Sequence, residues 1–306
     1  MLTEPIRMPK LPRFLDRWLQ DPPPHWVVEF SAAGIVRATT AEPFEMRSAL
    51  LPENALEPSP VDANFRNLGQ IQEAFRTLPL ALPNGRPPQC ALVLPDYSAR
   101  VSVLDFDEFP ASTDEQEPLV RFRLRKIVPY DLDSAQLSFQ AQRLANGSFA
   151  VVTAVCPIPV LAEYETLLRQ DRCHPGLVTS STLALLPLMP SEGISVLAKQ
   201  SGHVVTVAVC QGSTLRMVRT VEMIEVSWDE VLGLLHPTFA MVEDTMGEAP
   251  SSLMLCGFDA DTEALTEALH KEFKVPVAPL QSPLGKPTAL NAGVLGYLHG
   301  IREAVA

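Results

Sequence analysis

Apolar positions recur along this chain at two periods, and the switches between them lay out two halves of similar plan. Positions 26–30 and 34–40 read as strand, turn and strand, because β-branched and aromatic residues cluster on either side of Ser31, Ala32 and Ala33. The stretch 41–63, rich in Pro, Glu and Ala, predicts only a weak strand within a loop. Phe65, Leu68, Ile71 and Phe75 at helical spacing predict a helix over 64–78. A Pro/Asn/Gly linker at 83–88 precedes two apolar runs, 90–94 and 99–106, expected to form a hairpin around Asp96, Tyr97 and Ser98. A helix over 114–128 ends at Pro129. A further hairpin, 136–144 with 148–155, turns on Asn146 and Gly147, the strongest short-range hairpin signal. Residues 89–156 thus read as a compact β-α-β unit set within a larger domain. A helix over 158–172 with Leu161, Tyr164, Leu167 and Leu168 inward, a strand at 177–180 and a helix near 182–188 complete the first half.

From Gly193 the plan restarts. Two apolar, β-branched runs flank Gln200, Ser201 and Gly202, and a strand at 214–221 and a helix at 227–244 follow. A strand at 252–255, a helix at 261–273, a short strand near 275–277 and a last helix at 288–304 end the chain. A hairpin comes first in both halves, then helix and strand, so duplication of one α/β unit is the economical reading. The expected divisions are an appendage at 1–25, a first domain at 26–190 and a second at 191–306. In the appendage, Leu11, Phe14, Leu15, Trp18 and Leu19 form an amphipathic helical stripe, stopped by Asp21 and the prolines at 22–24. Packing on its own domain is the simpler use of that stripe. Docking to a partner or a membrane surface is the other.

With 306 residues the chain has room for about two domains of ~100–200 residues. A net charge of -12 argues against a nucleic-acid partner, which needs a basic surface. The five cysteines (90, 156, 173, 210 and 256) form no C-x-x-C; Cys90, Cys156, Cys210 and Cys256 sit in or beside apolar strand runs, which predicts buried free thiols, and the odd number fits a reducing, cytoplasmic compartment. No apolar stretch approaches the ~18 residues of a membrane span. Ser201 and His203 lack a G-x-S-x-G context. Asp105, Asp107 and Glu108 read as a solvated strand end, and Asp259 and Asp261 as a helix N-cap; neither group has the ligand count of a metal site. The run Arg121, Arg123, Arg125 and Lys126 stands out in an acidic chain. Helical spacing puts Val120, Leu124, Ile127 and Val128 on one face and most of these cations on the other. That face is either solvated or a docking surface for an acidic or backbone-rich partner segment.

The second-half hairpin carries the sharpest signal. Gln200, Gly202 and Thr206 resemble the phosphate-cradling D-x-G-x-x-x-T hairpin of actin-like ATPases, with Gln200 where the aspartate belongs. By the order and spacing of its segments the chain resembles the PilM-type family of type IV pilus assembly proteins, with the cytoplasmic half of the type II secretion L component as a relative. The segments that carry this are LVLPD at 92–96, VRFRLRKIVP at 120–129, Pro157-Ile158-Pro159 with Tyr164 leading to Pro175-Gly176-Leu177, and ALNAGVLGY at 289–297. The resemblance implies an actin-like (ribonuclease H-like) two-domain α/β fold with a β-α-β subdomain inserted in the first domain at about 89–156. It also implies a cleft for ATP and magnesium (Mg) between the domains.

Several residues depart from that pattern. Glu29, Phe30, Ser31, Ala32 and Ala33 stand where the family's first hairpin reads D-I-G-S-S. Glu29 carries its charge one methylene further out, and Ser31 lacks the glycine that lets a backbone N–H approach a phosphate. Gln200 brings no charge. At the adenosine turn, normally G-G, Gly257 is followed by Phe258, whose ring is expected to crowd the purine. A single helix fills the span from 222 to 254, where actin-like proteins usually carry a helical subdomain that walls the cleft; the second domain is thus shortened. Glu29, Ser31, Gln200, Gly202, Thr206 and Gly257 are therefore expected to be equivalents of a degenerate nucleotide site, in a pseudo-ATPase with no cofactor. The resemblance then implies a non-enzymatic cytoplasmic scaffold that binds the cytoplasmic tail of a PilN-like inner-membrane protein, with pilus motor components as further partners. In the family that tail lies between the first-domain core and its insert; Arg121, Arg125 and Lys126 are the candidate contacts here. One alternative is an ATP-binding switch of the same machinery, with Glu29 and Gln200 organising magnesium–ATP through water. Another is an actin-superfamily small-molecule kinase, for which no catalytic aspartate follows the hairpin.

Overall fold

The computed structural model of the chain describes residues 23–79, 88–258 and 262–305. The stripe at 11–19, the linker before Pro88, and Asp259 and Asp261 lie outside these residues.

The first half opens with the hairpin β1 (Trp26–Ser31) and β2 (Gly34–Thr39), extended by the edge strand β3 (Met46–Leu50). Helix α1 (Leu68–Arg76) begins at the cap Asn67 rather than at 64. Asn64 instead is buried outside the helix, where its Oδ1 accepts from Tyr164 at 2.8 Å and its Nδ2 donates to the Ser59 carbonyl at 2.8 Å. β4 (Gln89–Leu94) then lies parallel to β1. The expected hairpin of 90–94 with 99–106 does not form. All but the first residue of β4 is buried, as befits a central strand covered on both faces, and Pro95 with a single 3-10 turn at Asp96–Ser98 redirects the chain.

The insert therefore starts at β5 (Arg100–Phe106), not at 89. It continues through α2 (Thr113–Leu124), β6 (Ala135–Arg143) and β7 (Phe149–Pro157) into an antiparallel sheet of order β5-β7-β6. Leu104, Phe106, Val120, Leu124 and Val151 form its own small core. Helix α3 (Ile158–Gln170) leads back to β8 (His174–Ser180), which completes a five-stranded sheet of order β3-β2-β1-β4-β8, and to the short helix α4 (Ser181–Leu185).

The second half repeats the order. Its strands are β9 (Ile194–Ser201), β10 (Val204–Gln211), β11 (Thr214–Glu222), β12 (Ser252–Cys256) and β13 (Val277–Pro279). They form a five-stranded sheet of order β11-β10-β9-β12-β13, with the same mixture of an antiparallel hairpin and parallel additions. One helix, α5 (Trp228–Met246), joins β11 to β12, held at its start by a Ser227–Glu230 capping box. Helix α6 (Thr262–Phe273) precedes β13.

The last helix, α7 (Ala292–Val305), corrects the division at 191–306. Val294, Tyr297 and Leu298 pack against Val27, Val36, Ala91 and Val93 of the first sheet, so α7 belongs to the first half in space. Gly296 makes this possible: a Cβ there would lie 2.3 Å from the Leu185 Cα of α4.

Candidate functional site

The two hairpins meet at the seam between the halves. In the first, Ser31 pairs with Gly34 across a turn of Ala32 and Ala33, and its Oγ donates to the Gly34 carbonyl at 3.1 Å. In the second, Ser201 pairs with Val204 across Gly202 and His203. Counting back from each turn, Glu29 pairs with Val36 and Lys199 with Thr206; in the parallel direction Glu29 pairs with Val93 and Lys199 with Cys256. The equivalent of Glu29 is thus Lys199. Gln200, expected at the aspartate position, is the counterpart of Phe30, one residue along. Strand alternation turns it to the other side, where its Nε2 donates to the Gly202 carbonyl at 3.2 Å. Thr206 stays within the second sheet, its hydroxyl 3.1 Å from that of Thr220.

Lys199 is buried, and its Nζ donates to Asp96 Oδ2 at 2.7 Å. Asp96 follows β4 and also accepts from the Thr182 N–H and hydroxyl, each at 2.7 Å, in the first turn of α4. Glu29 is likewise buried. Its Oε1 accepts from Ser181 Oγ at 2.5 Å and from the Gly293 N–H at 3.1 Å, and its Oε2 from the Val294 N–H at 2.8 Å. Glycine at position 293 leaves room for this, since a Cβ there would come within 2.8 Å of Glu29 Oε1 and displace the carboxylate. The N–H groups opening α7, which could otherwise bind an external oxyanion, are therefore engaged by the chain's own carboxylate.

Burial raises the Glu29 carboxyl above its ordinary range, a shift partly opposed by Lys199, Ser181 and the two amides. For Lys199 burial alone acts downward, but Asp96 and Glu29 outweigh it and hold the ammonium above its ordinary range. Both groups bind a proton more tightly folded than unfolded. The Lys199 contribution to stability is whole below the ordinary value of 10.5 and is lost as pH rises through the higher native value. That of Glu29 is whole below 4.5 and declines as its native carboxyl ionises. Melting midpoints measured across pH should therefore fall on the alkaline side beyond the usual lysine range. Glu29→Gln should flatten the decline that begins above pH 4.5; an unchanged slope in that variant would exclude Glu29 as its source.

The remaining expected site residues are brought together, but in a packed arrangement. Gly202, at φ +60°, lies close enough to the first hairpin that a Cβ added there would stand 3.7 Å from that of Ala32, in ordinary van der Waals contact. Gly257, at φ +78°, presses on β9, where a Cβ would stand 2.0 Å from the Gln200 carbonyl oxygen. Phe258, expected to crowd a purine, turns inward. It is buried in the core of the second half. The basic residues belong to the insert: Arg121 donates to Glu117 at 2.8 Å and to the Leu132 carbonyl at 3.0 Å, while Lys126 lies 5.8 Å from the Phe122 ring centroid. Arg125 is exposed just past the end of α2. Among the described residues no group of three or more His, Cys, Asp or Glu is placed to hold a metal.

Lys199, Asp96, Ser181, Thr182 and Gly293 were not singled out from sequence. One signal was available. Lys199 follows five apolar or small residues in a run that reads as a strand covered on both faces, and a buried lysine requires a carboxylate partner.

No family model matches the chain, and no curated protein matches it in sequence. Solved structures do. The PilM–PilN type IV pilus biogenesis complex matches at 13% identity and TM-score 0.66, covering 92% of this chain and 98% of the other. A Bacteroides thetaiotaomicron protein of unknown function with an actin-like ATPase fold matches at 12% identity and TM-score 0.51, covering 89% and 94%. The cytoplasmic domain of EpsL, an inner-membrane component of the Vibrio cholerae type II secretion system, matches at 13% identity and TM-score 0.50, covering 92% and 93%. The chain has the actin-like ATPase fold, in a form similar to PilM and to cytoplasmic EpsL along nearly its whole length. Among the described residues no helix is long and apolar enough to cross a membrane.

Proposed function

We propose that this chain is a non-enzymatic scaffold of a type IV pilus or type II secretion-like assembly, which captures the short cytoplasmic tail of a PilN-like inner-membrane protein and works without ATP. The observation that carries the reading is the close approach of the two hairpin tips, where a side chain at Gly202 would meet Ala32, with a lysine at the position equivalent to Glu29. A triphosphate needs space and donors between those tips, and a metal held there needs carboxylates free to bind it. Here the tips approach so closely that a Cβ at Gly202 would meet Ala32, and both carboxylates are engaged by the protein's own donors. The likeness to PilM and EpsL supplies the kind of assembly. The scaffold would sit on the cytoplasmic side and reach the membrane through its partner, with Arg125 and Lys126 of the insert as exposed contacts for the tail.

Thermal denaturation tests both parts. Magnesium–ATP should leave the melting midpoint unchanged. A synthetic PilN-like tail at about 100 times its dissociation constant should stabilise by ~2.7 kcal/mol, a rise of several degrees. Reversing Arg125 and Lys126 to glutamate should weaken the tail's effect. An upward shift with magnesium–ATP would sink the ATP-independent reading, and a tail without effect would sink the scaffold reading.

A further inference from the structure

Lys199 is where the charge of one half meets that of the other. It is rooted in β9, the middle strand of the second sheet, whereas Asp96 and Glu29 belong to the first sheet and the turn that follows it. We propose that Lys199 is a tethered cation: its ammonium occupies a site built by the first half and latches the two halves in one closed arrangement that requires no bound ligand.

The site is shaped by groups other than the lysine. Thr182 aims Asp96, and Ser181 with the first turn of α7 aims Glu29. The result is a pair of buried carboxylates facing the second half. Among the described residues, the ion pair of Asp96 is with Lys199. Around it, Leu183, Leu185 and Met189 pack against Leu197, Ala208 and Cys210 across the seam. Apolar contact of this kind holds the halves together but tolerates sliding. The ion pair does not, because its value collapses once the 2.7 Å contact is lost and the charges remain desolvated. A buried ion pair often adds little net stability over apolar residues of the same shape, so its distinctive contribution is to select one arrangement. This inference rests on the seam alone and stands whether or not a PilN-like tail is the partner.

Lys199→Met keeps most of the stem and removes the charge. In the full chain its melting midpoint should fall by on the order of 10 °C. Amide exchange should accelerate about tenfold or more at the end of β9, in α4 and in the first turn of α7, with the insert unchanged. In Lys199→Ala, n-propylammonium chloride should restore part of the midpoint saturably, while tetramethylammonium chloride should not. Should the single variants fail to fold, Lys199→Met combined with Asp96→Leu balances the charge. That double variant should fold yet still show fast exchange at the seam. Wild-type protection of α4 and α7 in either Met-containing variant would overturn the latch, as would equal effects of the two ammonium salts.

Discussion

Asp96→Ala should lower stability by ~3–5 kcal/mol, the cost of leaving a buried ammonium without its counter-charge. Lys199 Nζ would lose its 2.7 Å partner, and the Thr182 N–H and hydroxyl would lose their acceptor in the same step. At about 2–4 °C per kcal/mol for a chain of this order of size, the midpoint should fall by on the order of 10 °C. Asp96→Asn separates charge from hydrogen bonding. Its amide oxygen can still accept from α4, so its loss should fall between wild type and the alanine variant. Urea unfolding of the three proteins provides the comparison. A loss below ~1 kcal/mol for Asp96→Ala would mean that Lys199 escapes to water without it, contrary to the burial of the pair.

Gly257→Ala carries the second large penalty, for a different reason. The added methyl would stand 2.0 Å from the Gln200 carbonyl oxygen, a distance no real contact allows, and the residue is already at φ +78°. Relief requires β12 to move away from β9 just where Leu255 pairs with Ala198 and Cys256 with Lys199. Overpacking against backbone typically costs ~1–3 kcal/mol, to which the left-handed conformation adds about 1 kcal/mol. Gly247→Ala supplies the control. It has φ +72° but nothing within 4 Å of the new methyl, so it should show the backbone cost alone. Equal losses for the two variants in urea unfolding would show that the Gln200 contact is not the cause.

What could be read from sequence was local. The turn at Asn146 and Gly147 and the Ser227 start of α5 are written in adjacent residues, and both stand as expected. The repeated hairpin–helix–strand order gave the fold because it samples the whole chain. The apolar run of β4 suits either a hairpin strand or a central parallel strand, and its true neighbours, β1 and β8, are far away in sequence. The site failed by a single residue. Gly202 suggested a turn centred on Ser201, whereas the ladder places the turn at Gly202 and His203, and that step exchanges Gln200 for Lys199 at the seam. The three charges that define the seam come from segments near 29, 96 and 199, and no spacing rule links them.

The return of α7 to the first sheet bears on how the molecule comes into being. The surface of Val27, Val36, Ala91 and Val93, and the Glu29 carboxylate beside it, find their partners in residues 292–298. On a ribosome the second half is therefore made while the first still lacks its covering helix. The first half is finished only when residues 292–298 emerge.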